Sequence, residues 1–378
     1  MKGLLISKSR GVGRNGSRSQ SVHGLPFGTA IGIACILMFA VSCATKPPVK
    51  LGHTFFPPAP DEPRIQFLAA FSADVDLGWN VSKFAEFVTG KAAAENPLIK
   101  PYGVAAKDGK IFVCDTMQSA VEIFDFDKKR AHYLSPRGEG RLQTPINITI
   151  DADGTRYVAD TGRGQVLLYR SDDEYVTAIG TKDEMRPTDV AITSNRLYVT
   201  DLKGHVVRVY SKSDRSLLFT IPRDPKTAKR KLLSPTNLAV DEQAGKLVIS
   251  DTGAFSVQVY DLEGNFLRVI GGQGVAPGLM ARPKGVALDR SGLVYVVDAA
   301  TQVVQVFDAE GRLLMFFGAP DTSTRGGLHL PAAVRLDYEN VRLFQNEIAP
   351  GRECEYLILV TSQVGGDKVN VYGFLKKK

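Results

Sequence analysis

The stretch that decides the fold runs from Leu293 to Gly318 and reads LVYVVDAATQVVQVFDAEGRLLMFFG. β-Branched, aromatic and aliphatic residues gather into three runs, LVYVV, VVQVF and RLLMFF. Asp, Ala, Thr, Gln, Glu and Gly fill the breaks between them. Such runs read as strands and such breaks as turns. One acid, Asp298, stands between two of the runs. An acid in apolar surroundings invites a catalytic or metal-binding reading. The rest of the chain argues against it, because the stretch is repeated.

Six units start at a proline. They begin PYGVAAKDGKIFVCD at Pro101, PINITIDADGTRYVAD at Pro145 and PTDVAITSNRLYVTD at Pro187. PTNLAVDEQAGKLVISD follows at Pro235, PKGVALDRSGLVYVVD at Pro283 and PAAVRLDYENVRLF at Pro331. The spacings are 44, 42, 48, 48 and 48 residues. A period of 40–50 residues with several short strands per unit signals a β-propeller. Four strands per unit and six units predict an all-β, six-bladed propeller over residues 64–378. The sixth unit ends after its third strand, at KVNVYGFLKKK. RIQFLAAFS, from Arg64 to Ser72, matches the outer-strand pattern and is expected to complete the last blade. That closure removes an open sheet edge.

The units resemble NHL repeats: proline, a short apolar strand, a turn, YVxD, then VxVF or VxVY. The resemblance covers about 64–374, with the sixth unit degenerate because LVTSQVGGD lacks the aspartate. It implies an NHL-like propeller. It leaves function open, since propellers host lyases, hydrolases and binding modules alike.

The repeat reclassifies Asp298. Asp115, Asp160, Asp201 and Asp251 occupy the same place in their units. Five equivalents spread around a ring cannot converge on one substrate. An aspartate at a strand end accepts N–H bonds within its own turn.

The second residue after each proline varies more: Gly103, Asn147, Asp189, Asn237, Gly285 and Ala333. First strands of propellers line the central channel. Asn147, Asp189 and Asn237 are therefore expected to face one another at its mouth, with oxygens that suit Ca²⁺ or Mg²⁺. Some propeller hydrolases hold a central calcium with Asn, Asp and Glu, but no matching Glu is identifiable here. A water-filled polar channel is the structural alternative. Zinc is disfavoured, because the body has only His53, His132, His205 and His329, scattered along the chain. No nucleophile elbow, phosphate loop or dinucleotide fingerprint occurs.

The N-terminus differs from the body. Residues 1–24 carry Lys2, Lys8, Arg10, Arg14 and Arg18 and no acid. Leu25 to Val41 is uncharged and mostly apolar. This pattern reads as a secretory signal. It ends AVSCAT, and Ala40, Val41 and Ser42 before Cys43 resemble a bacterial lipobox. The resemblance implies that residues 1–42 are removed and that Cys43 carries lipid. Ala44 follows the cysteine, which by the same resemblance points to the outer membrane. Residues 43–63 are proline-rich and are expected to form an extended tether.

The formal net charge is +7, of which the leader supplies five, leaving a nearly neutral body. The basic balance is thus no argument for nucleic acid. The loop DPKTAKRK places Lys226, Lys229, Arg230 and Lys231 together as a solvated charge run, with contact to lipid headgroups or an acidic partner as the functional alternative. Phe84, Phe87 and Val88 have the spacing of a short helix. Cys114 and Cys354 fall in neighbouring first and sixth units, so export permits either a disulfide or two free thiols.

The sequence therefore leads to an envelope scaffold. Its expected partners are proteins or a surface polymer, with no cofactor required. The competing expectation is a divalent-metal lyase or hydrolase at the channel mouth.

Overall fold

The computed structural model describes residues 52–79, 97–134, 136–223, 230–320 and 324–377. The leader, Cys43, the start of the tether, the helix expected at Phe84–Val88, and Lys226 and Lys229 lie outside them.

Six antiparallel sheets make a six-bladed β-propeller. Blade 5 comprises Pro283–Leu288, Val294–Asp298, Val303–Phe307 and Leu313–Phe317, in that order from the axis outward. Blades 1 to 4 start at Pro101, Pro145, Pro187 and Pro235 and repeat the arrangement. The first strands neighbour one another in sequence around the ring, and that of blade 6 neighbours that of blade 1.

Blade 6 is composite. Pro331–Asp337, Cys354–Ser362 and Val369–Leu375 are joined by Ile65–Phe71 from the N-terminal side. Ile65 pairs with Phe374 and Phe71 with Val369 in an antiparallel register. The closure expected from the sequence is thus formed. Within the stretch read as tether, Thr54–Phe56 forms a further strand on the outer side of Ile65–Phe71, with Phe56 opposite Ile65. Phe56 lies against Phe317 and Tyr372 at about 6.1 Å between ring centres, so this strand packs onto the interface of blades 5 and 6. The insertion in blade 6 clamps the closing strand. Gln66 donates to Glu347 O at 2.7 Å and accepts from Ala349 N at 3.0 Å.

The core is divided among the six gaps between blades. Val294 and Val296 pack toward blade 4, with Val257 and Ile270. Tyr295 and Val297 pack toward blade 6, with Val334 and Ile358. Each middle strand is buried on both faces, so its sequence is a continuous apolar run instead of an alternation. That is why LVYVV has no polar residue. The other four gaps are filled in the same way.

Candidate functional site: the channel and its proline-end mouth

The YVxD aspartates hold more than their own turns. Asp298 is fully buried and accepts N–H bonds from Ala300 at 3.0 Å and Thr301 at 3.4 Å in its turn. It also accepts from Ala281 at 2.7 Å and Arg282 at 3.0 Å, in the segment leading into Pro283. Asp115 does the same for Ile99, Lys100, Met117 and Gln118. Asp160 takes Gln143, Thr144 and Arg163, and Asp251 takes Leu233 and Ser234. In blade 6 the paired position opposite the proline is Ser362, whose hydroxyl accepts from His329 N at 3.2 Å. The aspartates therefore pin the start of each blade to its second strand.

The channel residues are brought together as neighbours. Asn237 Nδ2 donates to Asp189 Oδ2 at 3.4 Å, and Leu238 N donates to the same oxygen at 3.1 Å. Val190 N donates to Asp189 Oδ1 at 2.8 Å. Asn147 is tied to blade 3 instead, through Nδ2 to Thr188 O at 2.9 Å. This column of residues runs along the contacts between first strands. Where it holds glycine the strands come closest: a Cβ on Gly285 would lie 2.6 Å from Ala333 Cα, and one on Gly103 would lie 2.5 Å from Asn147 Cα.

Two side chains reach across the axis. Tyr102 extends from blade 1 to Asn237 Oδ1 of blade 4, at 3.5 Å. Arg335 extends from blade 6 to blade 2, where Nη2 donates to Thr149 Oγ1 at 2.7 Å and Ile148 O at 3.1 Å. Burial pushes the Asp189 carboxyl up to about 6, and the Arg335 charge and the N–H bonds oppose that rise. Burial also lowers Arg335, against the pull of Asp189. Tyr102 is raised by burial and then by Asp189.

The sequence carries one signal for Arg335. Its column reads Ala105, Thr149, Ala191, Ala239 and Ala287 in the other blades. One long cation among small residues, in the degenerate unit, fills space that the other five leave open.

This geometry fits a divalent cation poorly. Asp189 is the single carboxylate of the expected trio, both its oxygens already accept N–H bonds, and Arg335 supplies its counter-charge. Among the described residues no group of three or more His, Cys, Asp or Glu side chains is placed to hold a metal. The histidines are dispersed. His132 faces Asp173, His205 faces Leu233 O, His53 faces Gln66 and His329 packs on Gly365. Cys114 and Cys354 are free thiols in different surroundings. Cys114 is buried between blades 1 and 2, whereas Cys354 starts the second strand of blade 6 and touches Tyr356 O at 3.2 Å. Arg230 of the basic loop lies over the Phe266 ring at 5.3 Å.

At the proline ends of the first strands the channel opens into a recess of about 280 Å³. Its lining includes Lys100, Tyr102, Thr144, Arg282, Lys284 and Gln363, and no carboxylate among the described residues. Lys284 is half-buried beside Tyr102, with Nζ 5.6 Å from the ring centre. Burial, and then the neighbouring Arg282 charge, lower its ammonium to about 8. The opposite mouth, of about 250 Å³, is apolar apart from Thr149, Arg335 and Tyr338.

No protein-family model matches the chain. No curated protein sequence matches it. Solved structures do. A gluconolactonase from Xanthomonas campestris is similar at 15% identity and a TM-score of 0.53, over 83% of this chain and 90% of that one. A streptogramin B lyase is similar at 12% identity and a TM-score of 0.51, over 75% and 86%. A Bacteroides thetaiotaomicron protein of unknown function is similar at 15% identity and a TM-score of 0.55, over 82% and 75%. At these identities the likeness shows the fold alone.

Proposed function

We propose that the chain is a lipid-anchored binding propeller on the extracytoplasmic side of a bacterial membrane, which engages an envelope protein or surface polymer through its proline-end face. The observation that carries this reading is how the channel is filled. Asn147, Asp189 and Asn237 tie neighbouring first strands together, and Tyr102 and Arg335 cross the axis. The polar centre serves to hold the ring. The proline-end recess, by contrast, presents cations and hydroxyls to solvent, with no carboxylate in its lining among the described residues. Unmatched polar groups on a rigid rim are suited to recognition. The lipid anchor rests on the leader and the residues before Cys43.

The anchor and the binding face are tested separately. Cys43→Ala should shift the protein from the membrane fraction to the soluble fraction, and unchanged membrane retention would refute the anchor. Binding is read by crosslinking in intact cells, followed by recovery of the full chain from solubilised membranes. A specific crosslinked partner should be recovered with the parent chain and lost with Gln363→Trp, which places bulk at the rim of the recess. The same partners with both chains, or none with either, would overturn the role of this face.

A further inference from the structure

We propose that the recess at the proline ends is a binding site for a small oxyanion, a phosphate or carboxylate group, held between Lys284, Arg282 and Lys100. The proposal rests on the reading of this face as the binding face and names the chemistry of what it takes.

The argument starts from unmatched charge. Among the described residues, none of these three cations forms an ion pair within 4.0 Å. For Lys100 and Arg282, which are exposed, that is unremarkable. Lys284 is different, because its ammonium is half-buried and its neighbour is another cation, Arg282. A buried charge without a partner is unfavourable, and a like charge beside it adds to the penalty. Folds ordinarily place an acid at such a position. Here the acids near the recess are already engaged: Asp298 and Asp115 accept the backbone N–H groups of Arg282 and Lys100, and Asp189, in the channel, accepts N–H bonds and feels the Arg335 charge. An external anion is the group that would complete the site.

The remaining lining suits an oxyanion. A guanidinium offers paired N–H donors that match a carboxylate or phosphate. Thr144 and Gln363 add neutral donors at the rim, and the Tyr102 ring forms a wall. The recess, at about 280 Å³, admits a small molecule or a terminal group, not a folded chain. The backbone of the site is also fixed. Asp298 holds the N–H of Arg282, and Asp115 holds that of Lys100. The two cations from opposite sides of the blade 6 entrance are thus set by the same aspartate device in blades 5 and 1.

The test is calorimetry on the full chain in detergent at low ionic strength, with inorganic phosphate in one arm and succinate in the other. At least one should bind with a Kd at or below about 1 mM. Binding of phosphate alone assigns a phosphate-bearing ligand, and binding of succinate alone assigns a carboxylate-bearing one. Lys284→Met and Arg282→Met should each weaken binding by about tenfold or more. Lys284→Arg, which keeps the charge, should retain it. Lys182→Met removes the same charge from an exposed loop outside the lining and should leave affinity unchanged. No binding of either anion, or equal weakening by Lys182→Met, would overturn the site. Crosslinking with Gln363→Trp uses neither anion, so the oxyanion site and the binding role fail independently.

Discussion

Glu122→Gln is expected to stabilise the propeller by about 3 kcal/mol at pH 7, an unusual outcome for a buried substitution. Glu122 sits on the third strand of blade 1 at 0% exposure, and neither carboxyl oxygen has a hydrogen-bond partner. Burial, and then Asp115 and Asp74, push its carboxyl up to about 9. The folded state therefore keeps a proton that the unfolded chain releases above its ordinary value of 4.5. The wild type should lose stability as pH rises from about 4.5 toward 9, at about 1.4 kcal/mol per pH unit. The other blades show what a carboxamide does there. Gln258 donates to Lys231 O at 3.1 Å and Gln305 donates to Leu279 O at 2.8 Å, each in the segment before the blade's proline. Pro97 O lies at the corresponding place before Pro101 and already accepts from Gln118 and Tyr133. Unfolding curves between pH 5 and 8 should converge at the acid end and separate as pH rises. Parallel curves would show that Glu122 carries no such penalty.

Asp298→Ala should destabilise the fold by about 4 kcal/mol. The substitution leaves four N–H groups, of Ala281, Arg282, Ala300 and Thr301, without their acceptor. Two of these belong to the turn and two to the start of blade 5, so the start of the first strand and the end of the second loosen together. Asp298→Asn should fall between wild type and Ala, because one amide oxygen still accepts while the amide nitrogen repels the N–H groups that face it. Denaturant titration measures the difference. A loss below about 1 kcal/mol would mean that these hydrogen bonds are made equally well with water in the unfolded state.

The ring was legible in the sequence because repetition averages out local ambiguity. A single LVYVV is as consistent with a buried helix turn as with a strand. Six copies at near-constant spacing are not. The closing strand was legible for the same reason, since RIQFLAAF matched outer strands elsewhere. The site was less legible. Asn147, Asp189 and Asn237 stand out by their chemistry and do lie near the axis, but the influence of the Arg335 charge on Asp189 depends on two residues far apart in the chain. Arg335 lies in the unit that matches the pattern worst, where attention to the repeat conceals the exception. Along the sequence Lys284 is one more lysine. Its importance comes from burial beside Arg282 and from the carboxylates that are missing around it, and neither can be read along one strand. Thr54–Phe56 was hidden by the prolines on its C-terminal side, which favour an extended tether on composition alone.

The composite blade has a consequence for how the chain reaches its native state. Five blades are built from contiguous sequence and can form as each segment becomes available. The sixth cannot, because Ile65–Phe71 must wait for Val369–Leu375. Nearly the whole propeller is then the loop that this pairing closes, and the entropy of closing it is met in one late step. Until then the outer edge of Val369–Leu375 and the apolar faces of Leu68 and Phe71 have no partners. Every folding chain would pass through that open form before the ring closes. Locking of the ring, not formation of its blades, is thus the stage at which chaperones, proteases or misassembly would act on this protein.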